Sequence, residues 1–83
     1  MTNVTIDVYT KPVCQQCKAT YRQLDSNSID YEITDLTQNP AALEEAKSLG
    51  HLSAPVVIVR DANGIVDHWS GFQPDKIKSL VTA

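Results

Sequence analysis

The order of the first secondary-structure elements follows from residues 4–24, which read VTIDVYTKPVCQQCKATYRQL. Apolar and polar residues alternate up to Tyr9, a pattern with the two-residue period of a β-strand. The run from Thr10 to Val13 interrupts this alternation. Beyond it, the less polar side chains recur at helical spacing on one face, at Cys14, Cys17, Tyr21 and Leu24. The stretch predicts a strand, a turn, and a helix that begins at the first of two cysteines.

The middle of the chain repeats these two patterns. The polar run of residues 25–28 ends the first helix, and residues 29–36 alternate as a second strand. Asn39 and Pro40 predict a helix start, an N-cap residue followed by proline at the first helical position. Gly50 closes this helix, whose buried stripe is predicted to consist of Ala42, Leu43, Ala46 and Leu49.

The last third of the chain predicts a hairpin and a final helix. The continuous apolar run of residues 56–59 is typical of a strand that is buried on both faces. A turn follows at residues 61–64, with Asn63-Gly64 at its centre, and residues 65–69 form the partner strand. Residues 73–75 open the last helix, which is predicted to face inward with Ile77, Leu80 and Val81.

The predicted order of elements is β-α-β-α-β-β-α. A helical connection favours parallel pairing of the first two strands, whereas the hairpin makes the last two antiparallel. The fold class is therefore α/β, with a four-stranded mixed sheet flanked by three helices. The 83 residues are too few for two separate cores, so we expect residues 1–83 to form a single domain.

Charge and composition argue against several classes of function. The net charge of −3 disfavours nucleic acid or an anionic membrane as the main partner. Residues 1–7 lack the basic leader and apolar run of a signal peptide, and no stretch has the ~18 apolar residues of a membrane span. We therefore expect a cytoplasmic protein. In that compartment, paired cysteines are more often catalytic or metal-binding than structural.

The two cysteines of the chain, Cys14 and Cys17, are three positions apart. A disulfide that closes so small a loop removes little chain entropy, so the pair suits exchange better than stabilisation. Cys14 precedes the helix, where free N–H groups and the dipole favour a thiolate, and Lys11 and Lys18 add positive potential. Cys17 lies one turn later on the apolar face. These positions predict Cys14 as the nucleophile and Cys17 as the resolving thiol of a dithiol exchange.

Two other roles for the pair are less well supported. A zinc site needs about four ligands, of which the pair supplies two. His51 and His68 do not lie at ligand-like spacing and are expected at the surface. An inert pair has no reason to occupy a helix N-terminus. We expect no metal, but a non-enzymatic adaptor or metal-binding module on the same fold stays open as an alternative.

Pro55 occupies an unusual place at the start of a predicted buried strand. Proline is excluded there unless its missing N–H donor is harmless. A cis Ala54–Pro55 bond would account for the position, but X-Pro bonds are cis in only ~5–6% of folded cases. The residues alone leave the isomer open.

Three segments together resemble the NrdH-redoxins: TKPVCQQC at residues 10–17, APVV at 54–57 and HWSGFQPD at 68–75. These are glutaredoxin-like proteins of thioredoxin-like fold, and the similarity covers nearly the whole chain. The resemblance implies a cis Pro55 beside the active site. It also implies a monomeric electron carrier that thioredoxin reductase reduces and that donates electrons to the large subunit of class Ib ribonucleotide reductase. No cofactor is implied for this chain, because the NADPH and flavin belong to the reductase.

The resemblance also implies a partner-binding surface around the cysteines, the cis-proline and the segment before the last helix. Its members are Lys11, Pro12, Gln15, Gln16, Ala54, Pro55, Val56, Trp69, Ser70, Gly71 and Phe72. For Trp69, a place in the core beneath the last helix is the alternative to docking. Lys18 and Arg22 lie one helical turn apart and extend Lys11 into a basic rim, for which simple solvation is the alternative to a steering role.

A glutathione-dependent glutaredoxin is the alternative enzyme. Glutaredoxins typically have Thr-Val-Pro at the cis-proline and Gly-Gly-x-Asp at the last helix, whereas this chain has SAP at residues 53–55 and GFQPD at 71–75. Phe72 replaces a glycine that permits close approach of the tripeptide, so we expect weak glutathione binding. The chain also departs from the NrdH-redoxin pattern at Gln15, which is commonly Val, at Gln73, which is commonly Arg, and in a longer hairpin at residues 60–67.

Overall fold

Seven elements make up the structure, a computed structural model that describes residues 4–82 without the side chain of Thr82. Met1–Asn3 and Ala83, which belong to the predicted domain 1–83, lie outside the described residues. The order is the predicted β-α-β-α-β-β-α. In sequence the elements are β1 (Thr5–Thr10), α1 (Gln15–Ser26), β2 (Glu32–Asp35), α2 (Pro40–Ser48), β3 (Val56–Asp61), β4 (Gly64–Ser70) and α3 (Pro74–Thr82).

The four strands form one mixed sheet in the order β2-β1-β3-β4. β1 pairs in parallel with β2 and antiparallel with β3, and β3 pairs antiparallel with β4. The predicted parallel and antiparallel pairs are both confirmed. β1 and β3 are neighbouring antiparallel strands. The loop after β1 and the loop before β3 therefore lie side by side at the same end of the sheet.

Each face of the sheet carries a hydrophobic core. On one face, Leu24 of α1 and Ile77 of α3 pack against the sheet residues Ile6, Val8, Val57, Val59 and Trp69. On the other face, α2 packs through its alanines against the sheet, in a cluster of Tyr9, Ala42, Ala46, Val56 and Ile58. The run of residues 56–59 is therefore buried on both faces, as predicted. Full burial of one such side chain contributes about 1.5–3 kcal/mol.

β2 is shorter than the sequence predicts. The predicted strand covers residues 29–36, but the strand is confined to Glu32–Asp35. The N–H of Ile29 donates to the carbonyl of Leu24 at 3.0 Å, so it belongs to the end of α1. Ile33, on this edge strand, is 54% exposed. The burial along β2 does not follow the predicted alternation, and the N-terminal part of the predicted strand belongs to the end of α1.

Both ends of α2 agree with the prediction. Oδ1 of Asn39 accepts the N–H of Ala42 at 3.0 Å, and Pro40 is the first helical residue. Gly50 follows the helix with φ +87°, a conformation that glycine adopts without a steric penalty. The buried stripe was wrong at Leu43, which is 38% exposed, because the alanine side of the helix faces the sheet.

The turn between β3 and β4 is displaced by one residue from its predicted centre. Asp61 pairs with Gly64, so the two turn residues are Ala62 and Asn63. Oδ1 of Asp61 accepts the N–H of Asn63 at 2.8 Å, and this side chain-to-backbone contact stabilises the turn. Gly64 has φ +119° as the first residue of β4. The β3–β4 pairing shifts register between Val59 and Arg60.

α3 covers the same face of the sheet as α1. Ile77 is fully buried and Leu80 packs against the core, but Val81 is 49% exposed, so its predicted inward orientation is wrong. Consecutive helical residues point in directions about 100° apart, and Leu80 already occupies the inward direction. Within residues 4–82, no helix is long and apolar enough to cross a membrane.

Candidate active site

The sulfur of Cys14 caps the N-terminus of α1. Cys14 is the N-cap residue, with extended backbone angles (φ −131°, ψ 105°). Its Sγ accepts the backbone N–H of Cys17 at 3.1 Å. The first turn of α1 carries no acidic residue. A thiolate at this position meets a free N–H donor and the positive end of the helix dipole, without an opposing carboxylate in that turn.

Cys14 and Cys17 are joined in a disulfide, with their Cα atoms 5.2 Å apart. Cys14 is 9% exposed and Cys17 is 1% exposed. An incoming thiol therefore reaches the sulfur of Cys14 more easily than that of Cys17. This difference has the direction expected for a nucleophile and a resolving thiol, and the two roles stay predictions.

Val13, which was not among the predicted site residues, precedes Cys14 with an unusual backbone. Its φ is +54°, in a region that is strongly disfavoured for β-branched residues. The side chain is 96% exposed. Its neighbours Lys11 and Pro12 are exposed as well. Val13 therefore presents an apolar group to solvent next to Cys14, a feature that no periodicity in the sequence indicates.

The Ala54–Pro55 peptide bond is cis, as the family resemblance implied. Pro55 is fully buried, and its carbonyl accepts the N–H of Gly71 at 2.9 Å. Ala54 is partly buried. Val56 pairs with Ser70 of β4 and is 1% exposed, so its side chain packs mainly into the core.

The segment between β4 and α3 returns to the cysteine motif. Oε1 of Gln16 accepts the backbone N–H of Phe72 at 3.0 Å. Gly71 has φ +80°, and a Cβ at this position would lie 3.1 Å from the same Oε1 atom. Phe72 is 37% exposed. The structure thus brings together Gln16, Pro55, Gly71 and Phe72 from three distant segments, whereas Gln15 points to solvent.

Trp69 lies in the core, which corrects its assignment to the partner-binding surface. It is 3% exposed and packs with the cluster beneath α1 and α3, the alternative that the sequence left open. Its Nε1 is buried and has no hydrogen-bond partner among the described residues. Nζ of Lys76 lies 5.4 Å from the ring centroid. Because side chains alternate along a strand, Trp69 points away from the face of its neighbours His68 and Ser70.

His51 and His68, both predicted at the surface, are partly buried and form a pair. Nε2 of His51 lies 2.7 Å from Nδ1 of His68, and the rings are nearly perpendicular. Burial, with a smaller effect of His68, lowers the pKa of His51. The pair connects the loop after α2 to β4. Among residues 4–82, no three His, Cys, Asp or Glu side chains form a group that fits a metal ion.

An open, largely apolar groove of about 310 Å³ lies beside the cis-proline loop. Lys11, Ala54 and Val56 are among its lining residues. Leu52, also in the lining, is 90% exposed. Leu52 was not among the predicted site residues, although an apolar residue in a short loop was an available signal. Lys18 and Arg22 are exposed on α1, and their role in a basic rim stays a prediction.

Comparisons with known proteins place this geometry in a family. The glutaredoxin family model matches residues 6–62. The glutaredoxin-like protein NrdH of Escherichia coli K12 is 37% identical over 75 residues, which cover 90% of this chain and 86% of that protein. The gene 56 protein of Mycobacterium phage D29 is 33% identical, over 92% of this chain and 81% of that protein. Among solved structures, the NrdH-redoxin of E. coli superposes with a TM-score of 0.81 at 36% identity, covering 92% of this chain and 93% of that one.

A thioredoxin-like fold with a disulfide at a helix N-terminus, next to a cis-proline, defines a thiol–disulfide oxidoreductase, and Cys14–Cys17 is its redox-active disulfide. The predicted fold class is confirmed by the similarity to a solved structure. The chain belongs to the glutaredoxin family and, within it, to the NrdH glutaredoxin-like proteins.

Proposed function

We propose that this protein is a cytoplasmic electron carrier that thioredoxin reductase reduces and that in turn reduces the large subunit of class Ib ribonucleotide reductase. The observation that carries the proposal is its similarity to the E. coli NrdH-redoxin, a glutaredoxin-like protein described with a thioredoxin-like activity profile. The chain contributes two thiols and needs no cofactor of its own, since the NADPH and flavin belong to the reductase. It acts as a monomer, because one site must serve two partners in turn.

The first half of the cycle reduces the disulfide. A thiolate of the reductase attacks Sγ of Cys14, the more exposed of the two cysteines. The Cys14–Cys17 bond breaks, and Cys17 leaves and takes up a proton. The second thiol of the reductase then displaces Cys14, which leaves the reductase oxidised. Two electrons have moved to the pair.

The second half passes these electrons on. The Cys14 thiolate attacks a disulfide of the target and forms a mixed disulfide, which releases one target thiol. Cys17 then attacks Cys14, releases the second target thiol and restores the Cys14–Cys17 bond. The N–H of Cys17, 3.1 Å from Sγ of Cys14 in the disulfide, stabilises that sulfur whenever it is anionic.

Exposed apolar side chains support docking of protein partners at this site. Val13 is 96% exposed, Leu52 90% and Phe72 37%. Covering them on association is favourable by roughly 25 cal/mol for each Å² of apolar surface removed from water. The groove beside the cis-proline loop adds a concave apolar surface with Lys11 among its lining residues. We assign this surface to both the reductase and the target.

The alternative of a glutathione-dependent glutaredoxin has less support. The backbone N–H of Phe72 is already occupied by Oε1 of Gln16. The ring of Phe72 also stands where glutaredoxins typically have a glycine. Both features hinder close approach of a tripeptide to the segment before α3.

The test compares two reducing systems. The oxidised protein is incubated with insulin as disulfide substrate and NADPH, either with thioredoxin reductase or with glutathione and glutathione reductase. We expect NADPH oxidation with thioredoxin reductase, and turnover of class Ib ribonucleotide reductase when this protein is the only electron donor. Activity with the glutathione system alone overturns the proposal. Inactivity in both systems, with an intact disulfide, favours the non-enzymatic adaptor. Cys14→Ser is the inactive control.

A further inference from the structure

The side chain of Gln16 makes an intramolecular hydrogen bond, although the residue is exposed and lies between the two cysteines. Its Oε1 accepts the backbone N–H of Phe72 at 3.0 Å, across 56 positions of sequence. A side chain that merely contacts partners would have no fixed intramolecular hydrogen-bond donor. The contact instead ties the cysteine motif to the segment that precedes α3.

Gly71 shows how closely the two segments approach each other. A Cβ at Gly71 would lie 3.1 Å from Oε1 of Gln16, which is tighter than an ordinary van der Waals contact. The N–H of Gly71 donates to the carbonyl of Pro55 at 2.9 Å. Gln16, the Gly71–Phe72 backbone and Pro55 therefore form one continuous connection from the cysteine loop to the cis-proline.

This connection fixes the position of Phe72. Phe72 is 37% exposed, so it forms part of the surface beside the cysteine motif. Cys14 is only 9% exposed, so a target disulfide must approach between the residues that surround the sulfur. A protein target contacts those residues over a wide area, whereas a small disulfide needs only the sulfur atom.

We propose that Gln16 is a positioning residue for the reaction with protein disulfides. It holds Phe72 and the neighbouring backbone in the arrangement that a protein target contacts, and it has little influence on the reactivity of the sulfur itself. Gln16 therefore affects the rate of reaction with protein disulfides more than the rate with small disulfides. This role holds whichever reductase and target the protein serves, so its failure is distinguishable from failure of the proposed carrier function.

The test uses Gln16→Met, which keeps the length of the side chain and removes the acceptor. Gln16→Glu keeps an oxygen acceptor, and Gln38→Met makes the same change as the first variant at an exposed glutamine of the loop after β2. Each reduced protein reacts once with insulin and once with hydroxyethyl disulfide. The measured quantity is the ratio of the two second-order rate constants, together with the NMR shift of the Phe72 amide proton.

For Gln16→Met we expect the ratio of the insulin to the small-disulfide rate constant to fall roughly fivefold. The Phe72 amide proton should move upfield as it loses its acceptor. Gln16→Glu and Gln38→Met should keep the ratio within about twofold, and Gln16→Glu should retain the amide shift. Because a charge near the sulfur alters both rate constants, the ratio separates docking from thiol chemistry. An unchanged ratio in Gln16→Met, or an unchanged Phe72 amide, overturns the proposal.

Discussion

The backbone N–H of Cys17 donates a hydrogen bond to Sγ of Cys14 at 3.1 Å. Cys17 is the third residue of α1, the position whose N–H a capping side chain normally satisfies. The redox-active sulfur therefore takes the place of the usual Ser or Asp oxygen. The same donor that completes the helix also stabilises negative charge on the sulfur.

The first prediction concerns the roles of the two sulfurs. Cys17→Ser should accumulate a mixed disulfide between Cys14 and a protein substrate such as insulin, because no second thiol is present to release the target. Mass spectrometry without reductant detects the adduct. Cys14→Ser should form much less adduct, since Cys17 is 1% exposed. Equal trapping by the two variants would contradict the assignment of Cys14 as nucleophile.

The second prediction concerns the charge at the start of α1. Gln15→Glu introduces a carboxylate into a first turn that has none. The new charge disfavours the neighbouring thiolate, and alkylation of reduced Cys14 by iodoacetamide at neutral pH should slow roughly two- to fivefold. Gln38→Glu adds the same charge outside α1 and should leave the rate nearly unchanged. Equal effects of the two substitutions would mean that only net charge matters.

The third prediction concerns the backbone at Val13. Glycine adopts the observed φ of +54° without strain, and the exposed valine side chain contributes no burial. Val13→Gly removes this backbone strain but costs additional chain entropy on folding. The net effect should be a rise in the free energy of unfolding of up to about 1 kcal/mol. Val66→Gly, in the strand β4, should lower it. Urea denaturation measures both, and a similar loss in the two variants refutes the strain at Val13.

The fourth prediction concerns the core beneath α3. Ile77 is fully buried between α3 and the sheet, so Ile77→Ala should lower the free energy of unfolding by about 2–5 kcal/mol. Val81 is 49% exposed on the same helix, and Val81→Ala should change it by less than about 0.5 kcal/mol. Thermal or urea unfolding tests the pair. Comparable losses would mean that α3 is rotated from the orientation described above.

The fifth prediction concerns the pH dependence of stability. The pKa of His51 is lowered from 6.5 by burial and, to a smaller extent, by His68. Below pH 6.5 the unfolded chain therefore binds more protons at this residue than the folded protein. The contribution of neutral His51 to the free energy of unfolding is therefore present above pH 6.5 and is lost as the pH falls toward the lowered pKa. His51→Gln should flatten the stability profile between neutral pH and mildly acidic pH, and an unaltered slope in urea titrations would show that another group is responsible.

The local features of this protein were determined by its sequence. The strand alternation in residues 4–9, the Asn39–Pro40 helix start and the placement of Cys14 before α1 depend on interactions between residues at most a few positions apart. Such interactions have fixed sequence spacings, so they can be read without a structure. The resemblance added the cis isomer at Pro55, which the spacing alone left open.

Tertiary packing decided the remaining features. The contact of Gln16 with Phe72, the pairing of His51 with His68 and the burial of Trp69 join segments that are distant in sequence, and no periodicity encodes which distant groups meet. The ends of elements also depended on competition for backbone hydrogen bonds, as when the end of α1 took the N–H of Ile29. The sequence thus determined the chemistry of the sulfur pair, whereas packing determined the surface that a partner meets, because that surface is assembled from three loops that only the folded sheet brings together.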